Sequence, residues 1–274
     1  MISRENIKTY KGFFNNKNYI SISPNKVLRP YISKYFISFP DKQILPNEYT
    51  ILPSASSTLV LTVDTNKISG HLYGVNTKPL KAGDKISKKV FLLLIEFHAG
   101  GLYPFIPVDQ IELVNVLYPI DILDKNLMGN LELELEKSQN IETLIEGINN
   151  IFIARLINSK YFFNFTPELK NIIEKNGAID KLNMAFPYSY SERQTRRLFL
   201  RHIGINPNKF VRIVRANFAL KLIKNGKRSF LDIVEEAGYF DQPHFIHEFK
   251  IIHGITPQEY KQNMSVFYND NNRM

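Results

Sequence analysis

Three arginines lie close together at Arg193, Arg196 and Arg197. The planar guanidinium fork matches the O6 and N7 acceptors of guanine in the major groove, and phosphate oxygens equally well. Other residues suggest different chemistry and fall short of it. Glu96 and His98 alternate on one apolar run and His71 sits on another, but a metal site needs more ligands in a clustered motif. Ser54, Ser56 and Ser57 lack a nucleophile elbow and an evident His/Asp partner. Gly100-Gly101 reads as a turn rather than a phosphate loop. With no cysteine in the chain, a disulfide framework, a thiolate metal site and a cysteine nucleophile are all excluded. The expectation is therefore a binding protein with no catalytic residue, metal or cofactor, whose chemistry is recognition of a polyanion.

Cap and stop signals show what would hold those arginines. Ser191 with Gln194 three residues on predicts a capping box, and Gly204 ends that helix. Asn206-Pro207 opens the next helix, with proline at its first position, and Gly226 ends it. Ser229 caps a short helix stopping at Gly238, and Asp241 caps another stopping at Gly254. Thr256-Pro257 starts a last one. In the Ser191 helix, Leu198 and Ile203 are expected inward, with Arg193, Arg196, Arg197 and Arg201 elsewhere. In the Asp241 helix, Phe245, Phe249 and Ile252 share one face, leaving Gln242, Pro243, Ile246, His247 and Lys250 outside it. Short helix, tight turn and second helix, twice over, is the layout of a double helix-turn-helix.

On these residues the C-terminal part resembles the DNA-binding domain of the AraC/XylS family of bacterial transcription regulators. The matching residues are Ser191, Arg193, Arg197, Phe199, Gly204, Pro207, Phe210, Arg215 and Ala219. Then come Ala237-Gly238-Tyr239, Asp241-Gln242, Phe245, Phe249-Lys250, Gly254, Thr256-Pro257 and Tyr260. The resemblance covers about 100 residues, from roughly Thr166 onward, at many fixed spacings. It implies two recognition helices in successive major-groove segments. The expected DNA-contacting set is Ser191, Arg193, Gln194, Arg196, Arg197, Lys209, Arg212, Gln242, Pro243, Ile246, His247 and Lys250. Within it, Gln194 suits a capping partner better than a base reader, and Arg197, close to the buried side, has a partly structural reading. Lys209 and Arg212 on the linking helix are open between phosphate contact and plain solubility. Arg215 matches a position that looks structural in the family. His247 stands where the family usually has arginine, and Ile246 can touch a thymine methyl but cannot hydrogen-bond. Residues 183–190 leave the register of the first turn open, since either Leu182 or Met184 can take the family's leucine position.

Charge supports the same end of the chain. Of the net +9, residues 160–274 carry +7 (18 Lys/Arg, 11 Asp/Glu) and residues 1–159 only +2. Residues 178–228 hold 12 basic and 2 acidic side chains, whereas residues 229–274 hold 3 and 7. The basic footprint thus lies on the first unit and the helix after it, not on the second.

The expected architecture is multi-domain. Residues 1–160 form a mixed α+β domain, a β-rich body followed by helices. Residues 166–274 form an all-α domain with helix-turn-helix units at about 178–203 and 229–252. Strands are predicted near residues 19–22, 31–39, 57–63, 68–75 and 90–98, with residues 90–95 apolar enough for a strand buried on both faces. Helices are predicted at 108–117, 120–135 and 141–157. The first residues show no apolar leader run, and residues 90–97 are too short to span a bilayer, so a cytoplasmic chain with no membrane partner is expected. The N-terminal part resembles an uncharacterised domain that precedes this DNA-binding domain in many bacterial regulators. The residues carrying that likeness are Ile51-Leu52-Pro53, Gly74 with Pro79, and Phe97 followed by Gly100-Gly101. The resulting expectation is a transcription regulator that binds double-stranded DNA and is modulated through its N-terminal domain. A small-molecule effector, RNA polymerase and a second copy of the chain are the further partners it brings into play. The alternative is a catalytic or purely scaffolding N-terminal domain fused to a DNA-binding module.

Overall fold

A computed structural model describes residues 19–39, 50–64, 67–81, 91–161, 166–179 and 190–267. The N-terminal body is a six-stranded antiparallel sheet in the order β1-β2-β7-β4-β5-β8. Its strands are β1 (Tyr19–Ile22), β2 (Ile32–Ser38), β4 (Thr58–Val63), β5 (Ile68–Tyr73), β7 (Phe91–Phe97) and β8 (Leu117–Pro119). A two-stranded pair joins β3 (Thr50–Ile51) to β6 (Leu80–Lys81). β7 is central and nearly all apolar, as its sequence requires. It pairs with β2 and β4 at once, so Ile95 lies between Tyr35 and Leu59. Period-2 alternation sends Leu93, Ile95 and Phe97 into one core with Tyr35, Leu59, Leu61 and Leu72.

That core is closed by helices α1 (Ile120–Leu123), α2 (Lys125–Lys137) and α3 (Ile141–Asn158), which contribute Leu127, Leu131, Leu144, Ile148 and Phe152. Two expected helices come out differently. The helix expected over 120–135 is broken at Asp124, whose extended backbone (φ −157°) stops α1 while its carboxylate caps α2 by accepting from Leu127 N at 2.8 Å. Arg155 of α3 grips the same carboxylate at 2.6 and 2.9 Å, fixing the break. The helix expected over 108–117 is only a 3-10 turn, Gln110–Leu113, followed by Asn115 in the left-handed region (φ 60°). Tertiary contact overrides the local pattern there. Thr77 N donates to Asn115 Oδ1 at 2.8 Å, and Gly74 lies so close to Leu113 that an added Cβ would sit 1.9 Å from its carbonyl oxygen.

The C-terminal domain comprises α4 (Thr166–Glu174), α5 (Glu192–His202), α6 (Pro207–Asn225), α7 (Phe230–Glu236), α8 (Gln242–His253) and α9 (Pro257–Phe267). The first helix of the first unit and the register of its turn, residues 180–189, lie outside the described residues. Every cap expected downstream is present. Ser191 and Ser229 form capping boxes, Asn206 and Asp241 are N-caps, and Gly226 and Gly254 close α6 and α8 in left-handed conformation. The two domains share a core. Ala55, Val75, Ala99 and Val114 of the N-terminal part pack with Phe199, Ile203, Ile205, Phe210 and Ile252 of the C-terminal part. Asn217 of α6 also donates to the Pro53 carbonyl at 3.1 Å. Among the described residues no helix is long and apolar enough to cross a membrane.

Candidate nucleic-acid interface

α5 is amphipathic in a way its sequence dictates. Thr195, Phe199 and the C-cap residue Ile203 recur every four residues and are buried, with Phe199 packed edge-on against Phe210 of α6 at 6.1 Å. Phe199, rather than the expected Leu198, is the deep anchor; Leu198 is half-buried at its side. Arg193, Arg196 and Arg197, at i, i+3 and i+4, occupy the opposite face and are exposed. Among the described residues none of the three meets a carboxylate. Their helix N-terminus is built by Ser191 Oγ, which accepts from Gln194 N at 3.2 Å, while Gln194 Oε1 accepts from Ser191 N at 2.9 Å. Gln194 is therefore committed to the cap through its amide oxygen.

The linking helix α6 is largely buried, and its cations Arg212 and Arg215 are engaged inside the protein, while Lys221 is exposed. Arg212 grips Glu248 of α8 through two hydrogen bonds, 2.6 and 2.9 Å. Arg212, open in the sequence between phosphate contact and solubility, thus stands in an ion pair that holds α8, with 37% of its side chain exposed. Lys209 is half-buried. Desolvation, then Arg212 and Lys78 beside it, lower its ammonium below the usual lysine value, with Glu248 opposing. Arg215 donates to the Gly177 carbonyl at 3.2 and 2.8 Å and lies 5.6 Å over the Tyr239 ring, the structural role expected of it. Farther along, Arg228 pairs with Glu236 at 2.8 Å. Of the cations counted over residues 178–228, Arg201, Arg212 and Arg228 thus meet carboxylates, whereas Arg193, Arg196 and Arg197 stand exposed together on α5.

In the second unit, Phe245, Phe249 and Ile252 are fully buried, and Asp241 Oδ1 caps α8 by accepting from His244 N at 2.7 Å. Gln242, Pro243, Ile246, His247 and Lys250 are all exposed, as the spacing requires. Sequence reasoning passed over one neighbour. Phe240, just before the cap, is 90% exposed and gives the start of this helix an aromatic tip. Its signal is an aromatic residue between buried Tyr239 and the exposed cap Asp241, with no apolar period of its own.

The residues set aside for catalysis do not assemble. Glu96 pairs with Lys34 at 3.4 Å, Ser54 and Ser56 share a hydrogen bond at 2.6 Å, and no group of three metal-ligating side chains occurs among the described residues. A pocket of about 800 Å³ opens between α2, α3 and the loop at Pro104–Pro107, lined by Glu134, Lys137, Arg155 and Lys160 among others. Glu134 and Lys137 come from α2 and Arg155, already held by Asp124, from α3, while Lys160 lies just beyond α3.

Two family models match the chain. One, described as a helix-turn-helix domain, covers residues 184–263, and the other, a domain of unknown function numbered 6597, covers residues 20–119. Similar curated proteins include an uncharacterised HTH-type transcriptional regulator of Haemophilus influenzae, 36% identical over 70 residues (26% of this chain, 24% of the relative). The regulator YidL of Escherichia coli is 33% identical over 81 residues (30% and 27%). The regulator GbdR of Pseudomonas aeruginosa is 27% identical over 101 residues (35% and 28%). The chain thus spans about a quarter of the length of the curated relatives it matches. Among solved structures, ToxT of Vibrio cholerae is similar at 14% identity over 90% of this chain and 96% of ToxT, with a TM-score of 0.39.

Proposed function

We propose that this chain, which belongs to the AraC/XylS family of helix-turn-helix regulators, binds duplex DNA sequence-specifically and regulates transcription under the control of its N-terminal domain. The observation that carries the reading is α5: three exposed arginines, with no carboxylate partner among the described residues, stand on one face of a capped helix whose other face is locked into a core. Such a helix presents guanidinium forks to guanine edges and phosphates at little conformational cost. α8 takes the adjoining major-groove segment with Gln242, Pro243, Ile246, His247 and Lys250, joined by the aromatic tip Phe240. Arg193, Arg196 and Arg197 dominate affinity. The N-terminal sheet and its helices sense a small effector, pair with a second copy, or both, and contact with RNA polymerase follows from the regulatory role. The protein acts in the cytoplasm and carries out no catalysis.

The experiment is selection of bound sequences from random duplexes with the full chain, followed by titration of the selected site at several salt concentrations. Enrichment of one site, with log K falling linearly against log salt, is the expected result. Recovery of no preferred sequence would remove the claim of sequence-specific regulation.

A further inference from the structure

Arg201, one turn beyond Arg197 on α5, is set apart from the other three arginines because the N-terminal domain holds it. The C-terminal end of α5 rests on a seat built from the loop before β8. Tyr103, 1% exposed, places its ring 4.1 Å from that of His202, edge to face, with Tyr161 stacked edge-on at 5.7 Å on it. Gly204, at φ +96°, backs onto the 3-10 turn so closely that an added Cβ would stand 2.7 Å from the Gln110 carbonyl oxygen and 2.8 Å from Val114 Cγ2. Val114 itself packs into the core beneath α5. On this seat Asp109 Oδ1 accepts a hydrogen bond from Arg201 Nε at 3.1 Å, with the guanidinium 6.0 Å over the Tyr103 ring.

The seat and the ion pair do different things. Backbone contact at Gly204 and apolar packing at Val114 and Tyr103 hold the domains together. The Arg201–Asp109 pair leaves its side chains 53% and 52% exposed, and a pair that open to water adds little stability. Its effect is on charge. It neutralises an arginine at the edge of the basic face of α5, and it fixes a carboxylate where a phosphate would otherwise approach. The turn bearing Asp109 is in turn fastened to the sheet: Asn115 N donates to the Val75 carbonyl at 3.0 Å, Thr77 N to Asn115 Oδ1 at 2.8 Å, and Gly74 abuts Leu113. A shift at the end of β5 therefore carries Asp109 with it.

We propose that Asp109 masks Arg201: the N-terminal domain withholds a phosphate-binding arginine from duplex DNA until displacement of the 3-10 turn releases it. This rests on the reading that α5 docks on DNA. In the masked state Arg201 contributes nothing to phosphate neutralisation; unmasked, it adds one contact, and one repelling carboxylate is withdrawn.

The test uses the full chain and a duplex it selects. Association constants are measured across salt concentrations for the wild type, Asp109→Asn, Arg201→Ala and the double variant. Asp109→Asn is expected to steepen the slope of log K against log salt by about one unit and to tighten binding roughly three- to tenfold at low salt. Arg201→Ala alone is expected to leave the slope unchanged, and in the double variant the gain disappears. A slope for Asp109→Asn equal to the wild type's, or a slope flattened by one unit in Arg201→Ala alone, overturns the mask. A wild-type slope of several units keeps the docking of α5 standing even then, whereas a wild type whose duplex binding is independent of salt overturns both readings.

Discussion

Arg212 of α6 and Glu248 of α8 meet as a two-pronged pair, Nε to Oε2 at 2.6 Å and Nη2 to Oε1 at 2.9 Å, so the linking helix clasps α8 directly. Glu248 is only 16% exposed, and removal of its partner leaves a mostly buried carboxylate without a counter-charge. The pair is partly open at the Arg212 side, which discounts the cost. Arg212→Ala is therefore expected to lower unfolding stability by about 1–2 kcal/mol and to leave the salt slope of DNA binding unchanged. Urea unfolding and salt titration on one preparation check this. A slope flattened by a full unit with unaltered stability would return Arg212 to phosphate contact.

Arg196 is the opposite case, an exposed guanidinium on the face of α5 away from Phe199. Arg196→Ala is expected to weaken the selected site by about 1–3 kcal/mol and to relax preference at one base position, with unfolding stability within about 0.5 kcal/mol of wild type. The comparison is affinity for the selected site against random duplex. Equal losses on both would mean that Arg196 touches only the backbone.

The contrast between these arginines marks how far the sequence could be read. Caps are short-range chemistry, set by residues three or four apart, so Ser191, Asn206, Ser229, Asp241 and Thr256 announced every helix start after residue 190 among the described residues. The apolar run of β7 likewise announced a strand buried on both faces. What stayed hidden depends on partners far along the chain. Glu248 lies 36 residues from Arg212, and Asp109 lies 92 from Arg201. A count of charge cannot tell a guanidinium gripped by such a partner from a free one. The same holds for the break at Asp124, fixed by Arg155, and for the shared core. Residues 166–274 read from sequence as an independent module, yet Val75, Ala99 and Val114 cover part of its interior.

That shared surface has its own test at Gly204. The position needs both a left-handed backbone and the absence of a Cβ, because Gln110 and Val114 stand within 3 Å of where it would lie. Gly204→Ala is expected to cost about 1–3 kcal/mol. It is also expected to speed proteolysis between the domains, whereas Gly226→Ala, where an added Cβ meets nothing, is expected to carry the backbone cost alone. Limited proteolysis of both variants decides it, and equal cleavage rates would mean that the domains do not rely on this contact.

Two histidines give stability a pH dependence. Burial pushes His253, 1% exposed, down to about 4. His202 is also lowered to about 4, by burial first and then by the Arg201 cation, with Asp109 pulling the other way. In the unfolded chain both take a proton near pH ~6.5. Folded pKa values below the unfolded ones mean that the unfolded state binds more protons between pH 6.5 and 4. Stability is then fully present above about 6.5 and falls as pH drops, by at most about 1.4 kcal/mol per unit for each group, and by less for half-buried His202. Urea unfolding at pH 7.5, 6 and 5 is the measurement, with His253→Leu expected to flatten the curve. A wild type equally stable at pH 7.5 and 5 would mean that neither imidazole is held neutral.

The second unit poses the remaining question, whether α8 reads DNA or only supports α5. Residues 229–274 carry 3 basic and 7 acidic side chains, and one of the bases, Lys261, sits 5.6 Å over the Phe230 ring. Counterion release supplies much of the affinity of such complexes, so a recognition helix in an acidic half is expected to dock through apolar contact and one amide. Its exposed residues suit that: Gln242 for adenine, Ile246 and Phe240 for thymine methyls and sugars, and Lys250 for a single phosphate. His247 occupies the place where an arginine would add a charge. His247→Arg is expected to tighten binding several-fold and to steepen the salt slope by up to about one unit, while Ile246→Ala relaxes preference at one A·T pair without changing the slope. Both variants are measured on the selected duplex and on a copy scrambled at the positions assigned to α8. If His247→Arg binds no tighter and the scrambled copy binds as well as the original, α8 does not enter the groove. Its place beside α6, clasped by Arg212, would then serve only to brace the helix that presents Arg193, Arg196 and Arg197.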